Sequence, residues 1–214
     1  MKKRSLKFKA AAVVVVFAVI LSLSTIIISA TTFSTEFQRH YESLASSISK
    51  ATATAIDESE VERLADMVDV EFKKAVEYYG GVPDISSFTE EERNEYYSRF
   101  EYIKETDEYK SLLSLLQKLR DDYGVKSLYL GFTDKDYMKD IYLVDASAPG
   151  EACLPGDFDE VEDEHIQLME NGQYDFPPYI TNYSDYGWLC TDSTPIYGED
   201  GSIKGLALVD ISMN

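Results

Sequence analysis

The 214-residue sequence contains few of the side chains from which catalytic and metal sites are built. It has two histidines, His40 and His165, and two cysteines, Cys153 and Cys190, which lie 37 residues apart and form no Cys-x-x-Cys pair. Structural zinc sites need four such ligands, and a catalytic nucleophile needs a base beside it. No glycine-rich loop precedes a helix, as a phosphate cradle requires. We therefore predict that the chain is not an enzyme and holds neither a metal nor a cofactor.

One acidic segment, residues 156–164, has part of the spacing of a calcium site. Asp157, Asp159 and Asp163 stand at alternating positions, as the oxygen ligands of a calcium loop do. However, Val161 occupies the middle ligand position, and the glycine that permits the sharp turn of such a loop is absent. A solvated acidic surface is therefore the interpretation that we prefer.

Basic residues are scarce outside the N-terminus. Residues 1–9 carry five of them and no acid, whereas the part after residue 35 carries 15 basic and 39 acidic residues. Such a surface repels phosphate, so we predict no nucleic-acid partner. Its acidity favours solubility and cationic partners without determining the fold.

An uncharged stretch rich in Val, Ile, Leu and Ala separates these two regions, over residues 10–28. At about 1.5 Å per residue it is roughly 28 Å long, close to the hydrocarbon thickness of a bilayer. Lys and Arg flank only its N-terminal side, which predicts a cytoplasmic N-terminus in the cell membrane. A cleaved signal peptide ending near residue 30 is the alternative, although its apolar core would be unusually long. We expect a cytoplasmic tail over residues 1–9, a transmembrane helix over residues 10–30 and an extracytoplasmic domain over residues 31–214.

The two cysteines belong to the exported part. An oxidising environment allows a disulfide between Cys153 and Cys190. Bacterial surface proteins also carry free thiols, so the sequence leaves both states open. Two cysteines are too few for a fold that depends on disulfides.

Helical periodicity dominates the first half of the exported part. Residues 31–57 and 59–79 have apolar side chains at spacings of three and four. Two further helices are expected, one opened by a capping box at Thr89 and one that runs from Thr106 to Gly124. The first of these helices is expected to bury a stripe of six side chains: Phe33, Phe37, Tyr41, Leu44, Ile48 and Ala55.

From Val125 onward the spacing of apolar residues changes to a period of two, which is typical of β-strands. Strands are expected over residues 125–132, 137–145, 188–197 and 202–211, with an extended run through residues 177–183. A loop over residues 146–160 and a short helix over residues 162–169 interrupt them. Helices followed by about five antiparallel strands predict one α+β domain, with helices on one face of the sheet.

Polar side chains within these strands mark a candidate ligand site. On the last strand, alternation places Asp210 on the face opposite Gly205 and Ala207, whose small size suits helix packing. An aspartate that ends a strand is either a turn cap or part of a pocket rim, and both interpretations stay open. The candidate ligand-binding residues are Asp210, Asp145, Asp192, Trp188, Tyr142 and Tyr129.

Several segments occur in a recognisable order. Residues 107–119 precede Ser-Leu-Tyr-Leu at 127–130 and Tyr-Leu-Val-Asp-Ala at 142–146. The final hairpin, residues 194–211, reads Pro-Ile, an acidic Gly turn, a second Gly, an apolar run and Asp-Ile. In this order, over about residues 31–213, the segments resemble the Cache (PAS-like) extracellular sensor domains of bacterial receptors.

The resemblance implies a PAS-like antiparallel sheet of about five strands packed on the long N-terminal helix. It also implies a ligand pocket on the face away from that helix, roofed by the loops between residues 146 and 187. In amino-acid-binding relatives, an aspartate placed like Asp210 binds the amine of the ligand. The Arg-x-Trp-Tyr portion of that motif is absent here.

By this resemblance the domain senses a small polar or charged ligand for a membrane-bound signal-transduction receptor. Such receptors continue into a second membrane helix and a cytoplasmic output module. We therefore expect a receptor fragment or a stand-alone protein, with any catalytic output outside this chain. The alternative is a membrane-anchored or secreted module for protein interaction without a small ligand. A homodimer through the long N-terminal helix is a further candidate assembly.

Overall fold

The computed structural model of the chain describes residues 6–174, 176–183 and 187–213. Two compact units are present, Met1–Tyr41 and Glu42–Asn214. The first helix, α1 (Leu6–Ala55), contributes residues to both units. The expected domain boundary at residues 30 and 31 stays a prediction.

The first unit consists of the apolar part of α1. An 18-residue window of this helix has a mean hydropathy of 2.9, and none of it is buried. It is the one helix, within the part of the chain that the structure describes, that is long and apolar enough to cross a membrane. The rings of Phe33, Phe37 and Tyr41 follow one another along this helix, with centroids 5.9 Å and 4.8 Å apart.

The predicted buried stripe of α1 is largely wrong. Phe33 is 71% exposed and Phe37 is 37% exposed, because no described element covers this stretch of the helix. Within the second unit, Leu44 and Ala55 are exposed as well, whereas Ile48 is buried as expected. The side that packs there is rotated from the predicted stripe and includes polar residues: Ala45, Ile48, Ser49 and Thr52.

The three predicted helices that follow α1 are confirmed, and their ends have local causes. Helix α2 (Glu58–Tyr79) begins where the Asp57 side chain accepts a hydrogen bond from the Ser59 amide, and it ends at Gly80 with φ of 72°. Helix α3 (Glu90–Ser98) opens with the predicted capping box at Thr89. Side-chain caps satisfy amide groups that the first helical turn leaves unpaired.

Helix α4 (Asp107–Tyr123) is capped by Thr106 and ends at Gly124, whose φ of 65° suits glycine. Short 3-10 turns at Ile85–Ser87 and Glu101–Glu105 flank α3. The last helix, α5 (Asp163–Glu170), lies between strands, as the sequence predicted.

Within the described residues, six strands form one antiparallel sheet. They are β1 (Ser127–Asp134), β2 (Lys139–Asp145), β3 (Phe158–Glu160), β4 (Tyr179–Tyr183), β5 (Gly187–Tyr197) and β6 (Ile203–Ser212). Their order across the sheet is β3-β2-β1-β6-β5-β4. Five strands match the expected ones. The edge strand β3 falls in the predicted loop, because three residues of which two are acidic give no strand signal.

Helices cover one face of this sheet, so the predicted α+β class is confirmed. Helix α2 packs on β6 and α4, and its residues Val61, Leu64, Val68 and Phe72 are fully buried. A Cβ added at Gly205 of β6 would lie 2.7 Å from a methyl carbon of Val61, so this glycine permits the close approach. The interior between α2 and the sheet is the apolar core of the second unit.

Candidate functional site

The face of the sheet away from the helices bounds a cavity of about 550 Å³. Side chains of β1, β2, β5 and β6 form its floor, among them Tyr129, Tyr142, Thr191, Ser193, Leu206, Leu208 and Asp210. Residues between β2 and β4 complete the walls, among them Ser147, Cys153, His165 and Phe176. This volume lies within the usual range for small-ligand sites.

Asp210 lies in the floor of the cavity at the end of β6. Its Oδ1 accepts hydrogen bonds from the Thr191 hydroxyl at 2.6 Å and, more weakly, from the Tyr129 hydroxyl at 3.5 Å. Burial raises the pKa of Asp210 to about 6, and the nearby Asp145 adds to this rise. The Thr191 hydrogen bond and the charge of Lys126 offset part of it. The negative charge of the buried Asp210 carboxylate is therefore only partly balanced by nearby positive charge.

Two tyrosines form an aromatic wall beside Asp210. The rings of Tyr129 and Tyr142 stack with their centroids 5.3 Å apart and their planes at 28°. The Tyr142 hydroxyl donates a hydrogen bond of 2.8 Å to Asp159. Burial raises the pKa of both phenols, so both stay neutral hydrogen-bond donors.

Asp145 also lines the cavity, but its oxygens are occupied. They accept hydrogen bonds from the Ser147 amide at 2.8 Å, the Ser147 hydroxyl at 2.6 Å and the Cys153 amide at 2.8 Å. These bonds hold the loop after β2 against the end of the strand. The contacts of Asp145 are therefore those of a turn cap. A role for Asp145 in ligand binding stays a prediction.

Asp140 and Asp159 lie at the opposite end of the cavity from Asp210. Asp140 accepts a hydrogen bond of 2.6 Å from the Thr133 hydroxyl, and burial raises the pKa of this carboxyl. Sequence reasoning missed Asp140, although alternation along β2 places it on the same face as Tyr142.

Two candidate residues, Asp192 and Trp188, do not line the cavity. Thr191 pairs with Asp210 in the register of β5 and β6, so the next residue, Asp192, points to the helix side. There it is 3% exposed and accepts a hydrogen bond from the Ser49 hydroxyl of α1. Trp188 shares this side of β5 by alternation and is 50% exposed. Alternation within one strand could not predict that Asp192 and Trp188 lie on the helix side. It does not show how the faces of neighbouring strands correspond.

The disulfide between Cys153 and Cys190 is not formed, and both thiols are free. Cys153 lines the cavity, whereas Cys190 is buried on the helix side of β5 together with Asp192. The sheet therefore separates the two sulfur atoms. Burial raises the pKa of the Cys153 thiol to about 12, which keeps it protonated and unreactive.

The acidic segment considered for calcium is engaged in other contacts. Asp157 accepts hydrogen bonds from the Tyr97 hydroxyl and the Leu154 amide, and Asp159 accepts one from Tyr142. The side chain of Asp163 lies outside the described residues. Among those described, no group of three or more metal-binding side chains is arranged to hold an ion.

No family model matches the sequence, and no curated protein matches it. A solved structure that does match is the sensory domain of the Campylobacter jejuni chemoreceptor Tlp3 (CcmL). Identity to it is 18%, with 76% of this chain and 64% of that chain covered at a TM-score of 0.30.

Other matches are structures of the Tlp3 ligand-binding domain. The complex with L-valine shows 18% identity, 75% and 62% coverage of the two chains and a TM-score of 0.30. The complex with 4-methylisoleucine shows 16% identity, 82% and 60% coverage and a TM-score of 0.30. The chain therefore spans between 60% and 64% of these domains. They are sensory domains of a bacterial receptor, the class that the sequence resembles.

Proposed function

We propose that this chain is the extracytoplasmic sensing part of a membrane-bound signal-transduction receptor and that its cavity binds a small cationic molecule. The observation that carries this proposal is the position of Asp210, a largely buried carboxylate in a cavity of about 550 Å³ with a wall of two stacked tyrosines. Small-ligand sites combine apolar walls with a few convergent polar groups in this way.

The charge of the cavity favours a cation. Its described lining includes seven acidic side chains and two basic ones, Lys126 and His165. An ammonium group beside Asp210 would form a charge-assisted hydrogen bond with a poorly solvated carboxylate. The faces of Tyr129 and Tyr142 add attraction for a cation, worth about 0.5–2 kcal/mol.

A route from the cavity to α1 supports sensing rather than simple binding. Thr191 bonds Asp210 on the cavity side, and the adjacent Asp192 bonds Ser49 of α1 on the other side. A ligand that moves Asp210 or Thr191 would displace the peptide shared by Thr191 and Asp192. To carry a signal, the contact between Asp192 and Ser49 must have two arrangements. The ligand must bind the protein with a different affinity in each of them.

We further propose that residues 1–9 lie in the cytoplasm, that residues 10–30 cross the membrane and that the remainder lies outside. The basic N-terminus and the exposed apolar helix support this orientation. Single cysteines introduced at Ser5 and at Ser202, with Cys153 and Cys190 changed to Ala, test it in intact cells. A membrane-impermeant maleimide should label only the second site, and labelling of the first would reverse the orientation.

The exposed aromatic side chains Phe33 and Phe37 favour a second role for α1, as a dimer contact between two copies. An interaction module without a small ligand remains the alternative function. Analytical ultracentrifugation of the chain in detergent tests dimerisation. Phe33→Ser combined with Phe37→Ser should shift the mass toward the monomer, and an unchanged mass would reject this contact.

Thermal unfolding of the 214-residue chain in detergent tests the proposed ligand class. The panel comprises amino acids, organic acids, amines and nucleobases. A ligand at 100 times its dissociation constant stabilises the folded state by about 2.7 kcal/mol, which raises Tm by several degrees. We expect shifts from cationic compounds and none from organic acids, and loss of the shift in Asp210→Ala. No shift from any class, or equal shifts from acids, would reject a cation-sensing cavity.

A further inference from the structure

The chain crosses the open side of the cavity between the two edges of the sheet. The edge strands are β3 and β4, and residues 161–178 connect them. The structure describes this connection, which we call the strap, except for residue 175. Glu162, His165 and Phe176 of the strap line the cavity, so a ligand there would contact the strap as well as the sheet.

A small apolar cluster holds the strap together. Its buried members are Val161, Met169 and Phe176, and three partly buried side chains of the strap pack against them: Ile166, Leu168 and Tyr174. Because Phe176 also lines the cavity, the cluster lies on the cavity side of the sheet, apart from the core under α2. A separate cluster of this kind can open without unfolding the main core.

The helix of the strap depends on contacts from outside itself. With eight residues, α5 is too short to be a stable helix on its own in water. Side chains of Asp57, Thr89 and Thr106 cap α2, α3 and α4, whereas none of the described side chains caps α5. The rest of the domain must therefore hold the strap in place.

The turn between β1 and β2, residues 135–138, supplies contacts from the sheet to the strap. The Lys135 ammonium donates a hydrogen bond of 2.8 Å to the Tyr174 hydroxyl. Met138 packs against the apolar cluster, and its carbonyl accepts a hydrogen bond of 3.4 Å from the Val161 amide. The turn therefore contacts the strap through a polar and an apolar side chain.

Met138 stands at a backbone position where glycine would be unstrained. Its φ is 53°, and it is the one residue other than glycine with a positive φ in the part of the chain that the structure describes. A left-handed backbone costs energy for a residue with a Cβ atom and almost none for glycine. A glycine here would relax the turn but would lose the contact with the strap. Strained residues of this kind cluster at ligand clamps and switch regions.

From these contacts we infer that the strap opens and closes over the cavity as a unit and that the Met138 side chain is the latch that holds it closed. The opening itself needs no ligand. Its role in ligand binding rests on the proposed function: an amine that contacts both the sheet and the strap loses the strap contacts when the strap opens, so it favours the closed arrangement.

Amide hydrogen exchange of the 214-residue chain in detergent at pH 7.5, read by mass spectrometry, measures the opening of the strap. Peptides from the strap should exchange faster than peptides from α2 in the wild type, because the strap opens without global unfolding. Met138→Ala should speed exchange in the strap at least about tenfold, since burial of a methionine side chain contributes free energy of this order. Met138→Leu keeps an apolar side chain and should stay within about threefold of the wild type.

Three further variants separate the latch from other effects. Val61→Ala opens a gap in the core under α2 and should speed exchange in α2 while leaving the strap within about twofold. Met138→Gly removes the side chain and the backbone strain together, and its strap should exchange within about threefold of that of Met138→Ala. Met169→Ala removes a buried member of the cluster, should also speed exchange in the strap, and replaces Met138→Ala should that variant not fold.

The strap and the proposed function fail in different ways. If Val61→Ala speeds exchange in the strap as much as in α2, the strap opens only by global unfolding and the inference is overturned. It is overturned as well if Met138→Ala leaves the strap unchanged or if Met138→Gly restores wild-type exchange. Added n-butylamine should slow exchange in the strap by a factor of one plus the ratio of its concentration to its dissociation constant, and Asp210→Asn should abolish this protection. Normal behaviour of the variants without any protection by the amine would reject cation binding at Asp210 and leave the latch in place.

Discussion

The two faces of the sheet differ in how they treat buried polar groups. On the helix side, the buried Asp192 accepts a hydrogen bond from Ser49, whose hydroxyl also lies 2.8 Å from that of Thr194. On the cavity side, Ser193 lines the cavity, and Asp210 accepts hydrogen bonds from the Thr191 and Tyr129 hydroxyls. The polar groups on the cavity side therefore border open space that a ligand can enter.

Large apolar side chains give the strongest contrast between the faces. Phe72 of α2 is fully buried and contacts Phe158 edge to face, whereas Leu208 borders the cavity. Phe72→Ala should lower the free energy of unfolding by about 3–5 kcal/mol. Leu208→Ala should cost less than about half as much, because its side chain already borders empty space. Urea unfolding followed by circular dichroism checks this, and equal losses would contradict it.

Asp210 should make stability depend on pH in the direction opposite to that of a salt-bridged carboxylate. Its pKa is about 6 in the folded state against 3.8 for the ordinary carboxyl. Between about pH 4 and pH 6 the folded state keeps a proton that the unfolded chain has released, so the free energy of unfolding falls as pH rises. The loss is at most about 3 kcal/mol, at about 1.4 kcal/mol per pKa unit.

Asp210→Asn isolates this contribution from those of other carboxyls. The variant should match the wild type at pH 4 and exceed its free energy of unfolding at pH 7.5 by about 1–3 kcal/mol. Urea titrations at both pH values measure the difference. A difference that does not change with pH would show that the carboxyl is well compensated in the folded state.

The smallest expected effects on the free energy of unfolding come from substitutions of two buried serines, Ser49 and Ser193. One lies on each face of the sheet, so the two variants form a matched pair. Ser49→Ala should lower the free energy of unfolding by about 1–3 kcal/mol, because it leaves the buried Asp192 without its donor. Ser193→Ala should change it by less than about 0.5 kcal/mol, because its side chain borders the cavity. If Ser193→Ala were the more harmful change, Ser193 would have a structural role and the contrast between the faces would fail.

Local signals were sufficient to predict most helices and strands. The capping box at Thr89 and the glycine ends at Gly80 and Gly124 act through neighbouring residues, so the sequence reveals them. The buried side of α1 was harder to predict. Apolar spacing favoured Phe33 and Phe37, but burial there depends on what else packs on the helix.

The candidate site shows the same limit. Alternation within β6 placed Asp210 on the face away from the helices, and this residue does lie in the cavity. Asp192 was selected by the same reasoning and lies on the other face, because the register of β5 against β6 sets Thr191 beside Asp210. The register of β5 against β6 depends on the turn and on the whole sheet, which periodicity in one strand does not encode.

The most direct test compares the two aspartates that β5 and β6 place on opposite faces. Titration of n-butylamine into the 214-residue chain at pH 7.5 measures its affinity for the wild type, Asp210→Asn and Asp192→Asn, with folding verified by circular dichroism. We expect Asp210→Asn to weaken binding at least about tenfold and Asp192→Asn to leave it within about threefold. Equal affinities in all three proteins, or a larger loss in Asp192→Asn, would contradict a cation site on the cavity face.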